Sequence, residues 1–216
     1  GFQLHYTQVG DADKAAVLFI HGAPGNWRNA ARYLMDDRLQ QQAQLIAVDR
    51  PGWGESRLDS NRVEPSFAGQ ARLMRPLLEQ INRENRGQGV VLVGHSLGAS
   101  IAPSMAISDP DLVRGLILIS GSLDPDLGRP RWYNRAATMG VVSWFLDPQM
   151  RKANREIMAL TGQLEAIKGQ LEVVTQPITL IQGMRDKLVH PENADYAEEM
   201  FKNAPLRVIR LPQAGH

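Results

Sequence analysis

A chain of 216 residues, 43% hydrophobic and 22% charged, is the right size for one domain that buries its own core. Its 24 basic and 23 acidic residues leave a formal charge of +1, so the total gives no reason to expect a nucleic-acid or anionic-membrane partner. The absence of cysteine excludes disulfides, thiolate metal sites and a cysteine nucleophile.

In chain order, Leu4–Val9 (LHYTQV) reads as a first strand ended by Gly10. Short apolar runs follow at Val17–Ile20, Leu45–Val48, Val90–Val93, Leu116–Ile119, Ile178–Ile181 and Leu206–Leu211. Runs apolar at nearly every position suit strands buried on both faces, the situation in a parallel sheet. Between them, Phe67, Ala71, Met74, Leu78 and Ile81 recur at helical spacing, with Pro76 expected to kink the helix. Glu192 to Asn203 reads as a further helix with Pro191 in its first turn. The pattern predicts an α/β fold, a mostly parallel sheet with flanking helices.

One interval breaks the alternation. Leu123 to Gln176 holds no strand-like run but has room for two or three helices. It reads as a small helical cap, dividing the chain into a core at 1–122, an insertion at 123–176 and a continued core at 177–216. No apolar run reaches the ~20 residues of a membrane span, and the opening residues lack the pattern of a signal peptide. The cytoplasm is favoured on that ground, and the periplasm remains open to a chain whose signal was removed. No repeat or biased segment is evident.

Val90–Val93 runs into Gly94-His95-Ser96-Leu97-Gly98, after which Ala99 to Ala102 can open a helix. A strand turning directly into a helix strains its corner residue and thrusts the side chain out at the sheet edge. Small residues two before and two after are needed where strand and helix nearly touch. Ser96 at that corner also lies near a helix amino end, where amides favour developing negative charge. The same residues also read as a tight turn with serine as a helix N-cap. Pro103, seven residues into that helix, is expected to kink it.

A serine nucleophile needs a base, an orienting acid and an oxyanion hole. His21-Gly22-Ala23-Pro24-Gly25 follows a strand, and its Ala23 amide can pair with that of Leu97 to hold an oxyanion. Asp186 lies just past Ile178–Ile181, and His216 just past the strand ending at Leu211. All four elements lie beyond the carboxyl ends of strands, where open α/β sheets gather ligands. Asp124, in a proline-containing loop, is the rival acid. His21 reads as a brace for the oxyanion turn and His95 as a pocket-edge or packing residue. Trp27, Trp132 and Trp144 read equally as acyl-pocket lining or as packing. Scattered histidines hold no metal spacing, and HGAPG lacks the phosphate-loop lysine, so no metal, nucleotide or other cofactor is expected.

Through HGAPG, DRPGWGES (Asp49 to Ser56), GHSLG, GMRDKLVHPEN (Gly183 to Asn193) and the closing AGH, the chain resembles an α/β-hydrolase-fold serine hydrolase of the esterase and lipase type. The order Ser, Asp, His matches that fold. The resemblance implies Ser96 as nucleophile, His216 as general base and Asp186 as its orienting acid, acting on a small-molecule ester. It leaves open thioesterase, amidase or peptidase, carbon–carbon hydrolase and cofactor-free haloperoxidase activity, and a catalytically silent binding protein. Epoxide hydrolases and dehalogenases of the fold carry aspartate where Ser96 stands. Only one strand precedes the strand that leads into HGAPG, and no helix follows His216, so the chain resembles a trimmed version of the fold.

Overall fold

In this computed structural model, residues 1–59 and 63–216 are described. Each apolar run becomes a strand: β1 (Tyr6–Val9), β2 (Ala15–Ile20), β3 (Ala43–Val48), β4 (Val90–His95), β5 (Val113–Ile119), β6 (Ile178–Gly183) and β7 (Leu206–Leu211). They form one sheet in the order β1-β3-β2-β4-β5-β6-β7. Every neighbouring pair is parallel except β1 with β3, which is antiparallel. A short connection from β1 to β2 and an exposed edge position both suit that reversal.

Flanking helices are α1 (Ala31–Leu34), α2 (Asp37–Gln42), α3 (Phe67–Glu84), α4 (Leu97–Ser108) and α8 (Asn193–Met200). Between β5 and β6 lie α5 (Trp132–Ala136), α6 (Gly140–Phe145) and α7 (Pro148–Lys168), three helices where the sequence leaves room for two or three. The helix α3 begins at Ser66, whose hydroxyl accepts from the Gly69 amide. It continues through Pro76, and α4 continues through Pro103, so neither proline ends its helix.

The main core lies between one sheet face, with Leu18, Ile20, Leu92, Leu116 and Leu118, and helices α3, α4, α7 and α8. Met74, Leu78, Ile101 and Met105 fill it from the helices. On the opposite face, Leu45 and Ala47 pack beneath Ala30 and Leu34. Farther along that face, Ile117, Ile119 and Ile181 are only half-buried. Isoleucine and valine runs thus occupy both faces, as a parallel sheet demands, but one face is covered more fully than the other.

Candidate active site

Four of the predicted segments meet at the carboxyl edge of the sheet. Ser96 terminates β4 and stands at the N-cap position of α4 with φ 54° and ψ −123°. Its side chain makes no capping hydrogen bond, so the simple N-cap reading of this serine fails. A Cβ on Gly94 would come within 2.6 Å of the Ala99 Cα, and one on Gly98 would run into the Ile20 carbonyl. The two glycines are therefore required by contact between β4, α4 and the end of β2.

The HGAPG turn lies against that corner. A Cβ on Gly22 would sit 2.9 Å from the Ser96 Cβ. Leu97 occupies the first helical position, where an amide has no partner within the helix. Beneath the turn, His21 is 4% exposed. Its Nε2 accepts from the Arg50 amide at 3.0 Å, and its Nδ1 lies 2.6 Å from the Gly22 carbonyl oxygen. An Nε2 that accepts fixes the proton on Nδ1, so His21 is neutral and braces the turn. Burial, then the adjacent Arg50 cation, hold its pKa well below the usual imidazole value despite the Gly22 bond.

His216 and Asp186 are joined directly, with Nδ1 2.8 Å from Oδ2. Their two loops interlock: the Arg185 amide donates to the Ala214 carbonyl at 2.9 Å, and a Cβ on Gly183 would strike the Gly215 carbonyl. The other Asp186 oxygen accepts from the amides of Leu188 and Val189 at 2.8 and 2.9 Å. Burial alone would raise this carboxyl's pKa, but the Val189 amide, His216 and the Leu188 amide outweigh it, so the net shift is downward. Asp124 instead accepts from the Asp126 amide and closes its own turn. It has no bond to His216.

The His95 ring packs 5.0 Å from that of His216, a tilted stack that borders the imidazole. Burial and then the His216 charge lower the pKa of His95, against a smaller opposing pull from Asp186. The Ser96 hydroxyl makes no hydrogen bond to His216 among the described residues; such contacts are often long before substrate binds. A cavity of about 320 Å³ lies beside the pair, lined by His21, Trp27, Tyr33, Val93, His95 and His216 among others, but not by Ser96. It opens on the less covered sheet face rather than over the serine. Trp132 and Trp144 line no part of it and are 79% and 76% exposed.

Sequence reasoning missed one cluster. Arg50, fully buried, donates to the carbonyls of His21 and Gly22 and to both oxygens of Glu156 on α7. Gln70 of α3 bridges them, accepting from Arg50 and donating to Glu156. The signal was available: Glu156 interrupts the apolar stripe of Ala153, Leu160, Leu164 and Ile167, and a carboxylate in such a stripe needs a cation. Nearby, Asp49 accepts from the Trp27 and Glu55 amides and bonds His5, which makes the DRPGWGES loop a structural knot.

A sequence profile described as the alpha/beta hydrolase family matches residues 17–216. The chain belongs to the alpha/beta hydrolase family. Over 99% of its length the chain is 26% identical to the 2-hydroxy-6-oxononadienedioate/2-hydroxy-6-oxononatrienedioate hydrolase of Paraburkholderia phymatum, covering 69% of that protein. Over 56% of its length it is 31% identical to epoxide hydrolase 3 of Xenopus tropicalis. The chain spans well under half the length of the first curated relatives it matches, 31% of that epoxide hydrolase and 7% of the chloroplastic protein PHYLLO of Arabidopsis thaliana. A monoacylglycerol lipase of Paleococcus ferrophilus shares the fold with a TM-score of 0.76 at 18% identity, over 99% of this chain and 90% of that one. Among the described residues no group of three or more histidines and acids is arranged to hold a metal, and no helix is long and apolar enough to cross a membrane.

Proposed function

We propose that this hydrolase cleaves a carboxylic ester, or a related acyl bond, through an acyl-serine intermediate. The observation that carries the reading is the joined His216–Asp186 pair at the same sheet edge as a serine held at positive φ. In this mechanism the Ser96 Oγ attacks the substrate carbonyl carbon while His216 Nε2 takes its proton. Asp186, ionised through its two amide donors, keeps the other imidazole proton on Nδ1 and offsets the imidazolium charge. The oxyanion is received by the amides of Ala23 and Leu97; removal of one such donor typically costs ~3–4 kcal/mol in barrier. The imidazolium then protonates the leaving oxygen, the carbonyl re-forms and the alcohol departs. Water gives a proton to His216, attacks the acyl-serine, and the carboxylic acid leaves with Ser96 restored.

Cap residues 123–176 are proposed to govern substrate selectivity, with Trp27, which lines the same cavity as the His216 imidazole, as a candidate contact. A second reading, carbon–carbon bond hydrolysis, is favoured by one observation: a relative named as the hydrolase of 2-hydroxy-6-oxo dienedioates, which carry a ketone and no ester, aligns with nearly the whole chain. A panel of esters, thioesters and vinylogous diketones separates the two. The nucleophile is tested by a fluorophosphonate probe read by intact mass. Wild type is expected to gain one adduct, and folded Ser96→Ala none; an unlabelled wild type, or a labelled Ser96→Ala, rejects the assignment.

A further inference from the structure

The insertion between β5 and β6 has a charge and a surface unlike the rest of the molecule. Residues 129–155 hold six of the 24 basic residues and one of the 23 acidic ones, leaving 18 basic against 22 acidic elsewhere. The near-neutral total therefore hides a cationic segment on an anionic body. The same 27 positions carry seven of the twelve exposed large apolar side chains among the described residues. Trp132, Trp144 and Phe145 stand 79%, 76% and 76% exposed.

The exposure is not that of an untethered segment. The Asn134 Nδ2 donates to Asn154 Oδ1, and the Asn154 Nδ2 returns a bond to the Asn134 carbonyl, both at 3.0 Å and both buried. The Arg131 guanidinium donates to the Lys187 carbonyl, and the Lys152 ammonium to the Gly52 carbonyl. With Glu156 gripped by Arg50, the inward positions of α5 and of the first half of α7 are held by Asn134, Asn154, Glu156 and the small Ala153, ahead of the apolar Leu160, Leu164 and Ile167. Aromatics are left facing out. Over this stretch, though not over the later turns of α7, that is the reverse of the ordering expected for helices in plain solvent.

We propose that residues 129–155 form a docking face for an anionic lipid surface. Indole and phenyl rings settle at the boundary between headgroup and acyl chain, while Arg135, Arg151 and Arg155, all exposed, meet the phosphate layer. Arg151 and Arg155 are four apart on α7 and so share a face. Each basic side chain near an anionic surface raises partition by about fivefold, an effect that salt screens. Charge selects the surface and aromatics hold to it.

The inference is independent of the proposed chemistry, because binding is read without turnover. The full chain is sedimented with vesicles of phosphatidylcholine containing about one-third phosphatidylglycerol, with tryptophan emission recorded in parallel. Wild type is expected to pellet with these vesicles at low salt and to shift its emission to the blue. Partition should fall at least tenfold on pure phosphatidylcholine. Two variants, each checked for a native circular dichroism spectrum, separate the contributions. Arg135→Gln/Arg151→Gln/Arg155→Gln should lose about tenfold or more, and Trp132→Ser/Trp144→Ser/Phe145→Ser should lose the blue shift. No pelleting with the mixed vesicles overturns the proposal, as does binding that neither variant weakens. A concentration-dependent dimer broken by the aromatic substitutions, without vesicle binding, assigns the face to a second copy of the chain and overturns it too.

Discussion

Ser96 keeps a backbone conformation that costs a non-glycine residue on the order of 1–3 kcal/mol, and the contacts around it show what sustains the strain. Gly94, Gly98 and Gly22 let β4, α4 and the HGAPG turn close on it from three sides. At Gly98 the obstacle is the Ile20 backbone carbonyl, which cannot swing aside as a side chain would. Gly98→Ala should therefore destabilise the protein by about 1–3 kcal/mol and slow fluorophosphonate labelling by moving the adjacent Leu97 amide. Thermal denaturation and labelling rate measure the two effects; a variant matching wild type in both would show that the close approach is not needed. These residues were legible in the sequence because their constraint is local, a serine spaced by glycines after an apolar run. Asp186 and His216 were legible for a similar reason, each following its strand within a few positions. Trp132 and Trp144 were not, since an aromatic's direction depends on which side of a helix the rest of the chain covers.

Among the elements, α7 is bound to the HGAPG turn through a single guanidinium. Arg50 spends its donors on the His21 and Gly22 carbonyls, on Gln70 and on Glu156, so the insertion and the turn share one partner. Both ends are buried, Arg50 at 0% and Glu156 at 2% exposure, so removing one carboxylate leaves an uncompensated interior charge. Glu156→Ala is expected to cost about 3–5 kcal/mol in stability, seen as a lower midpoint in urea. Glu156→Gln, which keeps an oxygen acceptor, should recover part of it. An alanine variant as stable as wild type would mean that α7 is held by its apolar stripe alone. Strand alternation foretold the sheet because period and length decide it. What the sequence did not yield at this scale came from pairing: the antiparallel β1, and prolines carried within α3 and α4 by packing that outweighs a lost hydrogen bond.

Across the whole molecule, one buried and one half-buried histidine couple folding to pH. The His21 Nε2 accepts from the Arg50 amide, so a second ring proton would meet a donor and add charge beside a buried guanidinium. His95 is likewise held low, first by burial and then by His216. In the unfolded chain both rings take up protons near pH ~6.5, whereas the folded chain resists until lower pH. Below that point the unfolded state binds more protons, so stability falls as pH falls; above it both states are neutral and the curve is level. Asp186 acts in a lower window, because its depressed folded pKa contributes stability above the usual carboxylate range and loses it only as pH drops through that range. The melting temperature should therefore be nearly constant from about pH 8 to 7 and decline from about 6.5 to 5, before carboxylates contribute. His21→Gln removes the titrating ring while retaining an amide that can accept from Arg50. It should melt lower than wild type at pH 8 but with a shallower decline toward pH 5, so that the two curves converge. Parallel curves, with the offset unchanged at pH 5, would show that the His21 proton is not what ties this fold to neutral pH.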